Sequence, residues 1–310
     1  MDYQQFIHDR VAEIKQTVKD ALAITALSGG VDSSVVTVLG HRALAGQLKA
    51  YFIDNALMRQ GEPQRVRKTF ADMGIPVELI DARSQFLNAL AGLTDPEQKR
   101  QAITDTFYQQ VFARLVRQTG AKFLLHGTIL TDIEETVAGI KRQHNILAQI
   151  GIDPQKEYGY AVLEPLQTLR KDGVREVAKH LGLPEEIVRR MPFPGPALAA
   201  RIVGEVTEEK LQTVRAATAI VEEELADTPA FQYLAVLLSD RATGVRNGKR
   251  QFGQIIVLRC IDSTDARTAT PVPLPWPTLQ RICQRITEIE GVNRCLYDLT
   301  PKPPATIEYV

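Results

Sequence analysis

Apolar residues recur along the first two thirds of the chain with two alternating periods, and this rhythm predicts the fold before any single residue is considered. Phe6, Ile7, Val11, Ile14 and Val18 fall on one face of a helix spanning Phe6 to Asp20. Continuous apolar runs follow at Ile24–Leu27, Lys49–Asp54, Pro76–Asp81, Lys122–His126 and Ala161–Leu166, each of strand length and each bounded by turn residues. Helical patterns separate them at Ser33–Ala45, Glu62–Met73, Arg83–Ala91, Pro96–Thr119 and Lys171–Gly182, with Asp95 before Pro96 as a cap and first-turn pair. Strands alternating with helices at this spacing predict an α/β fold built on a doubly wound parallel sheet. The rhythm lapses from Ile129 to Tyr160, a long polar connection of the kind that serves as a lid over a site.

A second regime begins where Met191-Pro192-Phe193-Pro194-Gly195-Pro196 removes the amide donors that a helix or ladder needs. The predicted boundary therefore divides a domain over residues 1–190, with its lid at 129–160, from one over 191–310. Helix Glu208–Ala226, strand Gln232–Leu238, a hairpin turn at Arg246-Asn247-Gly248-Lys249, strand Gln254–Cys260, helix Thr278–Ile289 and strand Cys295–Leu299 make a small α+β module. A three-stranded half-sheet of this kind is expected to bury its apolar face against a second copy, giving a homodimer.

A length of 310 residues accommodates two such domains, and 44% hydrophobic with 24% charged residues is the composition of an ordinary globular chain. Lys plus Arg and Asp plus Glu are 37 each, so there is no net basic field to bind nucleic acid. No apolar segment approaches the roughly 20 residues of a membrane helix, and the N-terminus has no signal-peptide core. A cytosolic protein without membrane or nucleic-acid partners is expected. Cys260, Cys283 and Cys295 lie late in the chain without a C-x-x-C pair, which argues against zinc or redox chemistry.

The densest candidate chemistry lies between the first strand and the next helix, in Ser28-Gly29-Gly30-Val31-Asp32-Ser33-Ser34. A tight glycine turn feeding a helix N-terminus presents free amides to an anion. Ser28, Ser33 and Ser34 add hydroxyl donors, and Asp32 can hold a magnesium ion that shares phosphate charge. Neither G-x-x-x-x-G-K-[ST] nor G-x-G-x-x-G occurs. Beyond the end of the second strand, Arg59 is placed to face the same cleft and contact a substrate.

The seven-residue string resembles the pyrophosphate loop of the N-type ATP pyrophosphatases, which cleave ATP between the α and β phosphates. Over nearly the whole chain the resemblance narrows to the synthetase part of GMP synthase, an ATP-pyrophosphatase domain followed by a dimerisation domain. It is carried by the loop, Asp54-Asn55 with Leu57 and Arg59, Thr94-Asp95-Pro96-Glu97 with Lys99-Arg100, Gly127-Thr128, Glu164-Pro165-Leu166, Pro192 to Pro196, Val292-Asn293-Arg294 and Lys302 to Glu308. The resemblance implies adenylation of xanthosine monophosphate by ATP with Mg²⁺, then displacement of AMP by ammonia. It further implies that Ser28 to Ser34 and Gly127 bind the ATP phosphates, Asp32 the metal, and Lys171 phosphate charge. Asp132 and Glu135 would close over the reactants; Arg59, Arg201, Lys302, Ile307 and Glu308 would hold the nucleotide substrate. With no cysteine before Cys260, ammonia must arrive free or from a separate glutaminase subunit.

Departures from the family pattern gather at the acceptor end. Ala56 and Ala197 stand where the pattern has glycine, Leu130-Thr131 replaces Tyr-Pro, and Gln143 and Ile146-Leu147-Ala148 replace a histidine and Val-Gly-Gly. Gly173 replaces a glutamate, and Tyr309-Val310 replaces Trp-Glu. Two other readings stay open at this point: a relative adenylating a different acceptor, and a nucleotide-binding regulatory protein without turnover.

Overall fold

The computed structural model describes residues 1–137, 159–264 and 266–310, apart from the side chains of 135–137. Most of the expected lid lies outside the described residues. Two compact units emerge: the first comprises Met1–Asp54, Glu62–Ala82 and Thr104–Arg190, the second Asn55–Gly61, Arg83–Ile103 and Met191–Val310. Two segments that precede residue 191 thus group with the C-terminal unit. Hydrophobic rhythm does not reveal this, because a segment's periodicity says which face it buries and not which body covers that face.

In the first unit, strands β1 (Ala23–Leu27), β2 (Leu48–Asp54), β3 (Val77–Asp81), β4 (Phe123–Leu125) and β5 (Ala161–Leu163) form one sheet in the order β3-β2-β1-β4-β5. Every pairing is parallel. This is the predicted doubly wound α/β sheet. Ile24, Leu27, Phe52 and Leu124 are buried, as expected for strands covered on both faces. Helices α1 (Tyr3–Val18) and α2 (Val31–Leu44) pack on one another, and Asp2 caps α1 by accepting from the amides of Gln4 and Gln5. The chain leaves β1 toward β2 on one side, while β4 lies on the other. The carboxyl ends of β1 and β4 therefore flank the topological switch point, where open α/β sheets bind ligands.

The pattern at Pro96–Thr119 predicts one helix, but the structure breaks it into three. Helix α5 (Pro96–Asp105) runs into a π-helical turn at Thr106–Phe112 and then α6 (Ala113–Thr119), α3 and α4 being Glu62–Asp72 and Arg83–Leu90. Such wider turns are rare and recur at functional sites.

In the second unit, β6 (Gln232–Arg246) and β7 (Lys249–Asp262) form a long antiparallel hairpin, joined at the other edge of β7 by β9 (Val292–Tyr297) in parallel and extended by the two-residue β8 (Thr270–Pro271). The sheet has four strands, not the three expected. The predicted strands 232–238 and 254–260 are the buried halves of longer arms; the outer halves are exposed, so no alternation marks them in the sequence. Asn247 and Gly248 both take positive φ, +50° and +72°, the signature of a type I′ hairpin turn.

Candidate active site

The loop after β1 is built by its own hydroxyls. Gly29 adopts φ +76° and Gly30 caps α2. The Ser28 amide donates to Ser33 Oγ at 3.2 Å and the Gly30 amide to Ser28 Oγ at 3.3 Å, while Ser33 and Ser34 hydroxyls donate to the Gly30 carbonyl at 3.1 and 2.8 Å. The first intrahelical bond is Ser34 N–H to Gly30 O, 3.1 Å. The amides of Val31, Asp32 and Ser33 precede it, so they lack helical acceptors and, with the positive end of the helix dipole, suit an anion. From β4, Gly127 packs directly against this turn: a Cβ there would stand 3.2 Å from Asp32 C and Ser33 N.

Two charged pairs flank the loop. Lys171, the first residue of α8 (Lys171–His180; α7 is Leu130–Val137), donates from Nζ to Asp32 Oδ2 at 2.6 Å. Asp32 Oδ1 is buried and accepts no hydrogen bond among the described residues. A buried carboxylate oxygen without a donor is the hard oxygen ligand that Mg²⁺ takes beside phosphate oxygens and water. The residues present thus fit the ion. On the outer side, Arg190 donates to the Gly29 carbonyl at 2.6 Å and pairs closely with Glu62, whose side chain is 2% exposed. A side chain at Gly29 would strike Arg190 Nη1 at 2.5 Å. Neither Arg190 nor Glu62 carries a motif in the sequence; only the fold brings residues 128 apart into contact.

A pocket of about 240 Å³ opens at the switch point, with Ser28, Asp32, Ser33 and Gly127 on one wall and Phe107, Tyr108 and Phe112 on another. The π-helical turn supplies the aromatic wall. Phe107 meets Tyr108 edge-on at 4.9 Å and lies parallel to Phe112 at 6.1 Å; burial pushes the Tyr108 hydroxyl up to about 12. His126 lines the same pocket. Thr128 Oγ1 donates to Glu164 Oε1 at 2.6 Å, so it accepts from His126 Nδ1 at 2.8 Å, which fixes the proton on Nδ1. One polar wall and one aromatic wall can receive a molecule with a phosphate chain and a planar base.

The remaining expected residues divide among other places. Asp132 Oδ2 accepts from the Ile129 amide at 3.1 Å at the start of α7, and the side chain of Glu135 lies outside the described residues. Arg59, Arg201 and Glu308 belong to the second unit, where Phe193 carries the two arginines on its ring. The Arg59 guanidinium stands 3.9 Å and that of Arg201 4.9 Å from the Phe193 ring centre. Arg59 pairs with Glu222 at 2.5 Å, and Arg201, which is 1% exposed, reaches both oxygens of Glu308 at 3.2 Å while its Nη1 has no acceptor among the described residues. Lys302 Nζ donates to the Ala266 carbonyl at 2.8 Å, and the Ile307 carbonyl accepts from Arg259 at 3.2 Å. Ala56 and Ala197, in place of glycines, sit at φ +65° and +54°. The backbone there has kept a glycine conformation without the glycine.

Comparisons with known proteins find two families along the chain. The NAD synthase family matches residues 2–213 and the GMP synthase C terminal domain residues 219–309. A subunit of the glutamine-hydrolyzing GMP synthase of Archaeoglobus fulgidus is 50% identical over 310 residues, covering all of both chains. Subunits of the same name are 48% identical in Pyrococcus horikoshii, with all of both chains covered, and 48% in Methanocaldococcus jannaschii, with 99% of each.

Proposed function

The chain belongs to the family of these GMP synthase subunits, and we propose that it joins ammonia to xanthosine monophosphate at the expense of ATP, releasing GMP, AMP and pyrophosphate. The observation that carries the reading is Asp32, held by Lys171 through one oxygen and offering beside a helix N-terminus a buried second oxygen that no described residue engages. The purine 2-oxygen attacks the α phosphorus as the bond to the bridging oxygen breaks, and the electron pair leaves with pyrophosphate. Charge grows on that leaving group. The amides of Val31, Asp32 and Ser33 and the Lys171 ammonium oppose it from positions fixed before the reaction. Asp32 would hold Mg²⁺, which supplies further charge neutralisation on the phosphates when bound. Ammonia then adds at purine C2, and AMP departs with the oxygen. The aromatic wall of Phe107, Tyr108 and Phe112 would take the adenine.

In the second unit, Arg59, Arg201, Lys302, Ile307 and Glu308 would bind the xanthosine nucleotide. Neither the buried Cys260 nor the half-buried Cys295 suits glutamine hydrolysis. Burial raises the thiols of Cys260 and Cys295 to about 12, the reverse of an activated nucleophile. A separate glutamine-hydrolysing subunit is therefore the proposed ammonia source, as the designation of the relatives as one subunit suggests. The exposed Val245, Phe252 and Leu296 on the second unit's sheet support the proposed homodimer, which light scattering would test.

Purified chain with ATP, Mg²⁺, ammonium and xanthosine monophosphate should yield GMP, AMP and pyrophosphate in equal amounts. Pyrophosphate release that depends on a different acceptor would overturn the assignment of the substrate. ATP binding without turnover on any purine nucleotide would instead favour the regulatory reading.

A further inference from the structure

The C-terminal segment Pro301–Val310 contains no helix and only a single bridge, Ala269 to Lys302, so something other than secondary structure must hold its shape. Four of the hydrogen bonds that do so come from one guanidinium. Arg259, on the central strand β7, is fully buried and has four of its five donors engaged with residues near or in the tail. Nε donates to the Ile307 carbonyl at 3.2 Å and Nη2 to the Thr306 carbonyl at 2.9 Å. Nη1 donates to Asp298 Oδ2 at 2.6 Å and to the Thr300 carbonyl at 2.9 Å. Asp298 ties the other end: its Oδ1 accepts from the Thr300 amide at 2.8 Å, and its Oδ2 accepts from Tyr309 Oη at 3.0 Å.

The consequence is geometric. Thr300, Thr306 and Ile307 are drawn to one planar group, so the intervening residues close into a loop that carries Lys302, and Ile307 leads directly to Glu308. Arg201 and Gln232 receive Glu308 there, the latter at 2.6 Å. A lysine at 259 would keep the charge and could reach one or two of these acceptors, but not a carboxylate and three carbonyls in a fixed plane. Tyr309 also gains a meaning. Where the family pattern has tryptophan, this chain has a phenol whose proton is held by Asp298, and burial with that hydrogen bond raises it to about 12.

From this geometry we infer that Arg259 is the positioning residue of the nucleotide-binding tail, with Asp298 and Tyr309 completing a clamp that sets Lys302, Ile307 and Glu308 in place; the inference rests on the proposed role of those three. It touches no reactant itself. Its loss should therefore act on acceptor binding and leave ATP use at saturation alone.

The test is steady-state kinetics of the full chain with ammonium, varying xanthosine monophosphate and ATP separately. Arg259→Lys should raise KM for the xanthosine nucleotide about ten-fold, the effect of losing roughly one charged hydrogen bond's contribution. KM for ATP and kcat should stay within about two-fold, the reading of a loss in uniform acceptor binding. Tyr309→Phe, which removes one hydroxyl from a half-exposed site, decides the matter if Arg259→Lys does not fold, and should raise the same KM about three-fold. Glu308→Gln serves as the reference. If Glu308→Gln raises the nucleotide KM while Arg259→Lys and Tyr309→Phe leave it unchanged, the clamp is refuted alone. An unchanged KM in Glu308→Gln removes the tail from acceptor binding, and the inference falls with it. Equal damage to both substrates in Arg259→Lys and Tyr309→Phe would also overturn it, by reducing Arg259 to general support of the unit.

Discussion

Replacing Arg190 by methionine tests how the loop after β1 is held. The substitution removes the donor to the Gly29 carbonyl and takes from the Glu62 carboxylate, 2% exposed, the guanidinium that faces it. Breaking a buried pair from one side costs up to about 3–5 kcal/mol, because the desolvation of the remaining charge is no longer offset by that partner. Glu62→Gln is milder: Arg190 keeps its bond to Gly29 and sheds only its charge partner, for about 1–2 kcal/mol. The double variant leaves no carboxylate at position 62 to compensate, so its cost should fall below that of Arg190→Met alone, a coupling of about 3 kcal/mol. At about 2–4 °C per kcal/mol, Arg190→Met should melt roughly 10 °C below the parent and regain several degrees when Glu62→Gln is added. Thermal unfolding of the four proteins, with ATP-dependent pyrophosphate release measured alongside, makes the cycle. Additive losses would refute the argument, since they would mean that Glu62 is satisfied without Arg190.

Other expectations follow from single sites. Ala56→Gly and Ala197→Gly should each stabilise by about 0.5–1 kcal/mol: the left-handed backbone costs an alanine about 1–2 kcal/mol, offset by about 0.5–1 for glycine's freedom in the unfolded chain. A lower midpoint in denaturant for either would contradict that. Lys99→Met should destabilise by about 3 kcal/mol, because Nζ holds the carbonyls of Ala199, Ile202 and Gly204 at 3.3, 2.8 and 3.1 Å and all three would lose a buried donor. Burial, reinforced by Lys210, lowers Lys99 to about 8 from 10.5, so between these values the unfolded chain binds more protons than the native one and stability contributed by this site rises with pH. The deficit of Lys99→Met should accordingly widen from pH 8 to 10; a constant deficit would contradict it. Asp32→Asn should lower turnover at least 100-fold and remove its rise with Mg²⁺ concentration, while Lys171→Gln keeps the Mg²⁺ response and loses rate. An Asp32→Asn protein with the parental Mg²⁺ dependence would move the metal elsewhere.

What was legible in the chain was whatever local sequence dictates. Continuous apolar runs mark strands covered on both faces, and Ser28 to Ser34 marks a turn into a helix N-terminus, so the parallel sheet and the turn after its first strand were readable while the strand order was not. Local sequence also marked Asn247-Gly248 as a hairpin turn. The buttresses were not legible. Arg190 with Glu62, Lys99 with the carbonyls after Pro196, and Arg259 with the tail join residues 47 to 128 positions apart, and each looks in sequence like an ordinary surface charge. The outer arms of β6 and β7 escaped for a different reason: both their faces meet solvent, which erases the alternation that announces a strand. The π-helical turn escaped because Thr106 to Phe112 keeps a helical composition while its hydrogen bonds widen.

The central claim is that this chain activates the purine 2-oxygen by transferring adenylyl to it at the Asp32 loop. Xanthosine monophosphate carrying ¹⁸O at position 2, turned over with ATP, Mg²⁺ and ammonium, should deliver the label to the phosphoryl group of AMP, with one ¹⁸O per GMP formed. Label appearing in water or pyrophosphate, with AMP unlabelled, would contradict the adenylyl intermediate.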